Sequence, residues 1–86
     1  MSGSELERWL TNRVASITGV NVTRIDRNMP FESLGLDSVL KVSLTVEIEQ
    51  QVQRSLDSDL LYTYNTIATL INALGANGID LTGAPV

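Results

Sequence analysis

Leu6, Trp9, Leu10, Val14 and Ile17 recur at spacings of three and four, which places them on one face of a helix. Ser4-Glu5-Leu6-Glu7 opens this stripe as a capping box, with Ser4 as the cap and Glu7 reaching back to its amide. Gly19 stands where a left-handed residue ends such a helix. The spacing predicts helix over 5–18. A one-faced helix must bury that face, and only 86 residues are present to cover it. A domain of about 60 residues buries only about 60% of its unfolded surface. Without a cysteine to staple it, a chain this small is expected to fold as helices joined by ordered loops. We expect one domain over 5–75, an N-terminal tail at 1–4 and a linker or tail over 76–86.

Residues 20–36 lack a sustained period. Val20, Val22, Ile25, Met29, Phe31, Leu34 and Leu36 are punctuated by Asn21, Asp26, Asn28, Pro30 and Gly35. A loop this long in a compact domain is uncommon and usually functional. Its apolar residues predict that it lies over the core.

Two periods compete in residues 38–53. Val42-Ser43-Leu44-Thr45-Val46-Glu47-Ile48 alternates apolar and polar, which is a strand signal. On a helical wheel, Leu40, Leu44, Ile48 and Val52 form one stripe, while Val39, Val42 and Val46 form a second beside Ser43 and Gln50. Asp37 is a suitable N-cap for that helix, and the polar stretch from Glu47 to Arg54 favours helix by propensity. Local pattern leaves both readings open, although a strand would need partners and no second convincing one is present.

Beyond this segment, Leu56, Leu60 and Leu61 are candidates for burial, with Asp57 or Ser58 capping one or two helical turns. Asn65-Thr66 caps a last helix carrying Ile67, Leu70, Ile71 and Leu74, with Gly75 as its expected terminator. Trp9 reads as core of the first helix, and Tyr62 and Tyr64 as packing residues at the end of the bundle.

The sequence contains neither cysteine nor histidine. Ser-His-Asp and Cys-His hydrolases are thereby excluded, as are thiolate metal sites and most zinc sites. No catalytic residue and no metal ligand is assigned. The net charge of −4 and six scattered basic residues (Arg8, Arg13, Arg24, Arg27, Lys41 and Arg54) argue against nucleic acid. Apolar runs are too short to span a membrane, and the first residues lack the pattern of a signal peptide. The expected compartment is the cytoplasm.

Gly35-Leu36-Asp37-Ser38 stands where the long loop meets the second helix. A serine in a first helical turn is exposed, and a phosphate on its hydroxyl would face free amides and the positive end of the helix dipole. Gly35 permits a tight turn just before it, and Asp37 can hold that turn by capping. The arrangement suits a serine that receives a phosphodiester. It does not suit a self-activated nucleophile, because no base is at hand. On these residues alone, a plain helix start is the favoured reading of the motif.

The order of features narrows this choice. Pro30-Phe31-Glu32-Ser33-Leu34 precedes Gly35-Leu36-Asp37-Ser38, and Leu61-Tyr62-Thr63-Tyr64-Asn65-Thr66-Ile67-Ala68-Thr69-Leu70 follows it. In this order and spacing the chain resembles the acyl carrier protein family over about residues 5–75. The resemblance implies an all-α four-helix bundle, with a long loop between helices one and two and a short third helix. It implies that Ser38 carries 4'-phosphopantetheine taken from coenzyme A, with Gly35, Leu36 and Asp37 completing the motif, and that acyl groups ride on the arm as thioesters. It makes residues 38–53 helical, and it gives Val39, Val42, Ser43 and Val46 the role of a docking face. It implies as partners a phosphopantetheinyl transferase, an acyltransferase or acyl-AMP ligase, and a ketosynthase with other polyketide or fatty-acid enzymes.

The second helix is less acidic than in many carriers of fatty-acid synthesis, and Tyr64-Asn65-Thr66 stands where polyketide-type carriers often show Tyr-Pro-Thr. A monomeric, non-catalytic carrier of polyketide-synthase or hybrid type is expected, with docking that is more apolar than charge-steered. Two other readings are a peptidyl carrier domain of a nonribosomal peptide synthetase and a non-carrier interaction domain docking through Val39, Val42 and Val46.

Overall fold

The computed structural model describes residues 3–76. Helix α1 (Gly3–Thr18) is followed by a 3-10 turn (Val22–Arg24), a one-turn helix α2 (Phe31–Leu34), α3 (Ser38–Val52), α4 (Leu60–Thr63) and α5 (Ile67–Ala76). No strand occurs among the described residues. The strand-like alternation of residues 42–48 is therefore helix. Helix α1 packs against α5 and α3, and α4 lies on α3. These four helices form the expected bundle, with α2 as an extra turn inside the long loop.

The apolar stripes explain the packing. Leu6, Leu10 and Val14 of α1 are buried with Leu44, Ile48 and Val52 of α3, Leu60 and Leu61 of α4, and Ile67, Leu70 and Leu74 of α5. Trp9, Ile17, Leu40, Leu56, Tyr64 and Ile71 pack against that cluster from its edge. The long loop closes the core: Phe31, Leu34 and Leu36 are all buried. It is tied to the start of α5 by two backbone bonds, Phe31 N–H to Asn65 O (2.8 Å) and Ala68 N–H to Arg27 O (3.0 Å). Arg27 also donates from Nε and Nη2 to the two carboxylate oxygens of Glu7, at 2.9 and 2.7 Å. One loop residue thus fastens the loop to both α1 and α5.

Several local expectations change. Helix α1 begins at Gly3, so Ser4 lies inside the first turn instead of before it, and the Glu7 carboxylate faces Arg27. Gly19 ends the helix with φ 76° as predicted. Val22 is exposed instead of packed, because it starts the 3-10 turn capped by Asn21, whose Oδ1 accepts the Thr23 N–H. The residue before α4 is Asp59, and its side chain makes no capping bond; Asp57 contributes only its carbonyl, to the Leu60 N–H. Helix α5 starts at a reciprocal cap in which Thr66 and Thr69 each accept the other's backbone N–H through the hydroxyl. It runs through Gly75 to Ala76, so Gly75 does not terminate it. The tail expected beyond it lies almost wholly outside the described residues.

Candidate functional site

The site begins with a turn. Gly35 takes φ 103° directly after α2, and its N–H bonds to the carbonyls of Phe31 and Glu32. A Cβ at this position would meet only the Thr18 side chain, at 3.8 Å. The backbone angle, and not crowding, is what demands glycine here. Leu36 follows and is buried, which pins the turn to the core.

Asp37 then reverses the chain into α3. Its Oδ1 accepts the Leu40 N–H at 2.8 Å, and its carbonyl accepts the Lys41 N–H at 2.9 Å. The expected N-cap is thus formed. Ser38 is the first helical residue. It is exposed, and its hydroxyl makes no hydrogen bond to the described residues. The carboxylate nearest in sequence, Asp37, is committed to the helix amide. No base among the described residues is hydrogen-bonded to the Ser38 hydroxyl, which activation for attack would require. An anion joined to it would sit at the positive end of a four-turn helix. Gly35, Leu36, Asp37 and Ser38 therefore fit a covalently held phosphodiester.

Ser38 also borders a shallow open groove whose other walls are Val39, Val42 and Ser43. Val39 is 73% exposed, Val42 44% and Val46 47%. The second stripe read from the sequence is thus a surface stripe, while Leu44, Ile48 and Val52 point inward. The acidic groups of α3 are engaged within the chain: Glu47 Oε1 accepts from Arg13 Nε at 2.5 Å, and Glu49 Oε2 accepts the Leu56 N–H at 2.7 Å.

One structural contributor was not legible as such in the sequence. Lys41, on the turn after Ser38, is only 3% exposed. Its Nζ donates to Glu32 Oε1 of α2 at 2.5 Å and lies 4.2 Å from the centroid of the Tyr62 ring in α4. Tyr62 is consequently a half-exposed lid on a cation, not an inward packing residue. The hydrogen bond from Lys41, helped by the backbone amide of Glu32 itself, holds the Glu32 carboxyl below its ordinary value. Among the described residues, no cluster of acidic side chains could hold a metal ion, and no helix is long and apolar enough to cross a membrane.

Comparison with known proteins points to the same kind of site. The family described as "phosphopantetheine attachment site" matches residues 8–74. A phenolphthiocerol/phthiocerol polyketide synthase polypeptide of Mycobacterium tuberculosis is 32% identical over 71 residues, which is 83% of this chain and 4% of that protein. The chain thus spans only a small part of the curated relatives it matches. Among solved structures, the HMG-ACPI domain of the CurA module from Lyngbya majuscula superposes with a TM-score of 0.79 at 27% identity, covering 94% of this chain and 79% of that one. A free-standing peptidyl carrier protein of Acinetobacter baumannii superposes with a TM-score of 0.80 at 28% identity, covering 88% and 95%.

Proposed function

Because the chain belongs to the phosphopantetheine attachment site family, we propose that it is an acyl carrier of polyketide-synthase type whose arm is joined at Ser38. Members of this family are carriers and not catalysts, and they hold the prosthetic group covalently. The observation that carries the assignment to Ser38 is its geometry: an exposed, unpartnered hydroxyl on the first residue of α3, set there by the Gly35 turn and the Asp37 cap.

Ser38 Oγ attacks the phosphorus of coenzyme A that bears the pantetheine. The bond from that phosphorus to the 3',5'-ADP moiety breaks, and the hydroxyl proton passes to a base on the transferase. An acyltransferase or acyl-AMP ligase then loads the terminal thiol, and a ketosynthase or another synthase enzyme takes the acyl group onward. The exposed stripe of Val39, Val42 and Val46 with Ser43 is the surface on which these partners dock. The carrier works as a cytoplasmic monomer.

The test is an intact mass after incubation with coenzyme A and a broad-specificity phosphopantetheinyl transferase. The expected result is the gain of one phosphopantetheinyl group, abolished in Ser38→Ala. No gain, or a gain that persists in the variant, overturns the assignment.

The likeness to a peptidyl carrier favours one second reading, a carrier of aminoacyl groups. Asp37 directly before the serine supports the acyl reading instead. Offering the holo carrier, its terminal thiol still free, to an acyl-AMP ligase and to an amino-acid-adenylating enzyme separates the two by the mass of the thioester formed.

A further inference from the structure

We infer that the groove of Ser38, Val39, Val42 and Ser43 is a resting site for the chain's own prosthetic arm, holding its branched pantoyl portion on the outer face of α3. The inference rests on attachment at Ser38 and goes beyond it. Three observations carry it. The tether atom belongs to a residue that itself lines the groove, so the arm starts at the groove and needs no search. Two of the four lining side chains are valines with large exposed areas, Val39 and Val42. Ser43 offers a free hydroxyl beyond the tether residue, and none of the four side chains carries a charge.

The chemistry of the arm matches this order. After the phosphate comes a methylene and then a quaternary carbon bearing two methyl groups, only a few bonds beyond Ser38 Oγ. Next come a secondary hydroxyl and the first amide. With the phosphate at the N-terminal end of α3, the paired methyls reach Val39 and Val42, and the hydroxyl or amide reaches Ser43. Side chains of a helix lean toward its N-terminus, so Val42 and Ser43 incline toward Ser38 from one turn below. Tethering makes this an intramolecular contact with an effective concentration on the order of millimolar for a short flexible link. A weak apolar contact is then populated although the same fragment, free in solution, would bind poorly.

The groove overlaps the docking stripe, so a partner that takes Val42 frees the arm as it binds. Docking and delivery of the arm become one event.

Nuclear magnetic resonance of the apo and holo proteins, the loading confirmed by intact mass, tests this. The expected result is contact between the arm's geminal methyls and the methyls of Val39 and Val42, together with amide shift changes at Val42 and Ser43. In a folded holo Val42→Ser protein those methyl contacts are lost; Val39→Ser, at a still more exposed position, serves as the second variant. Shift changes confined to Ser38 and its immediate neighbours, or methyl contacts to α4 in place of α3, overturn the inference while attachment stands. Absence of any added mass at Ser38 overturns the attachment and this inference together.

Discussion

The Lys41 ammonium lies 4.2 Å from the centroid of the Tyr62 ring and also donates to Glu32. This residue, one turn after Ser38, therefore joins α2, α3 and α4. A buried lysine is rare unless paired, and here both partners come from outside its own helix. The Glu32 carboxylate of α2 and the Tyr62 ring of α4 are held by the same nitrogen, so the loop and α4 are fixed relative to the start of α3.

The cost of breaking this arrangement should depend on which side is removed. Glu32→Gln leaves a buried ammonium without its charged acceptor, and hydrogen bonds to charged groups contribute about 1.5–3 kcal/mol. Glu32 is half exposed and the ring still faces the cation, so a loss of about 1–2 kcal/mol is expected. Lys41→Met removes the buried charge altogether and leaves the Glu32 carboxylate, which is half exposed, to water, so it should cost less than stranding the buried ammonium. Urea unfolding of the two variants checks the order. A larger loss for Lys41→Met would show that the cation–π contact outweighs the ion pair.

The same pair sets an acid dependence. The Glu32 carboxyl is held below its ordinary value in the folded protein, so the unfolded chain binds the proton more readily. Its contribution is present in full above the unfolded value of about 4.3 and is lost as pH falls through the lower folded value. The stability difference between the native sequence and Glu32→Gln should be constant near neutral pH and shrink below about pH 4.3. Unfolding curves at several pH values read this directly. A difference that grows on acidification would reverse the sign of the argument.

Gly35 and Gly19 both have positive φ, at 103° and 76°, and neither would crowd a Cβ. The left-handed basin lies near +57°, so Gly19→Ala is a modest strain and Gly35→Ala a larger one. We expect a loss of about 1 kcal/mol for the first and about 2 kcal/mol for the second. Thermal melts of the pair measure the order. Equal losses would mean that neighbours of Gly35 relax its φ toward that of Gly19.

Asp37→Ala removes the side chain that accepts the Leu40 N–H and should cost about 1 kcal/mol. Asp37→Asn keeps an acceptor and should be nearly neutral in stability. Both melts are to be read beside the rate of modification at Ser38, since fraying of the first turn of α3 moves the hydroxyl. If Asp37→Ala melts like the native protein, the cap is not what orders the turn.

How much of this could be read from the sequence depends on range. Asp37, Gly35 and the Leu44–Ile48–Val52 stripe were legible because cap, turn and period are local properties. That Val39, Val42 and Val46 form a second stripe apart from Leu44, Ile48 and Val52 was also legible, since it follows from helical spacing once the segment is helix; that this stripe faces outward was shown by the packing. The choice of helix did not follow from local pattern, because residues 42–48 fit either period; it came from the family resemblance, and the structure has α3 as helix packed against α1 and α4. Lys41 was hidden for a similar reason. Its acceptor is nine residues away in another helix and its ring partner lies in α4, so no periodicity relates them. Helix α2 hid inside the loop because it is one turn long, too short to show a period. The contributions of Gly75 and Ser4 were misread at helix ends, where the boundary is set by tertiary packing more than by the terminal residue.

The two faces of α3 give the last prediction, because two residues two positions apart should respond in opposite ways. Val42 is 44% exposed, whereas Leu44 is fully buried. A carboxylate in place of Val42 stays hydrated, so Val42→Asp should keep the helical circular dichroism and melt within about 0.5 kcal/mol of the native protein, as surface substitutions usually do. Leu44→Ala leaves a cavity in the core it shares with Leu10 and Ile48 and should cost about 2–5 kcal/mol. Acyl transfer should show the opposite sensitivity. Val42→Asp puts a charge on the apolar stripe and should slow transfer to a docking partner, while Leu44→Ala, assayed well below its melting point, should transfer at a nearly native rate. Loss of fold in Val42→Asp, or native transfer rates in it, would remove the outer valines from the docking surface.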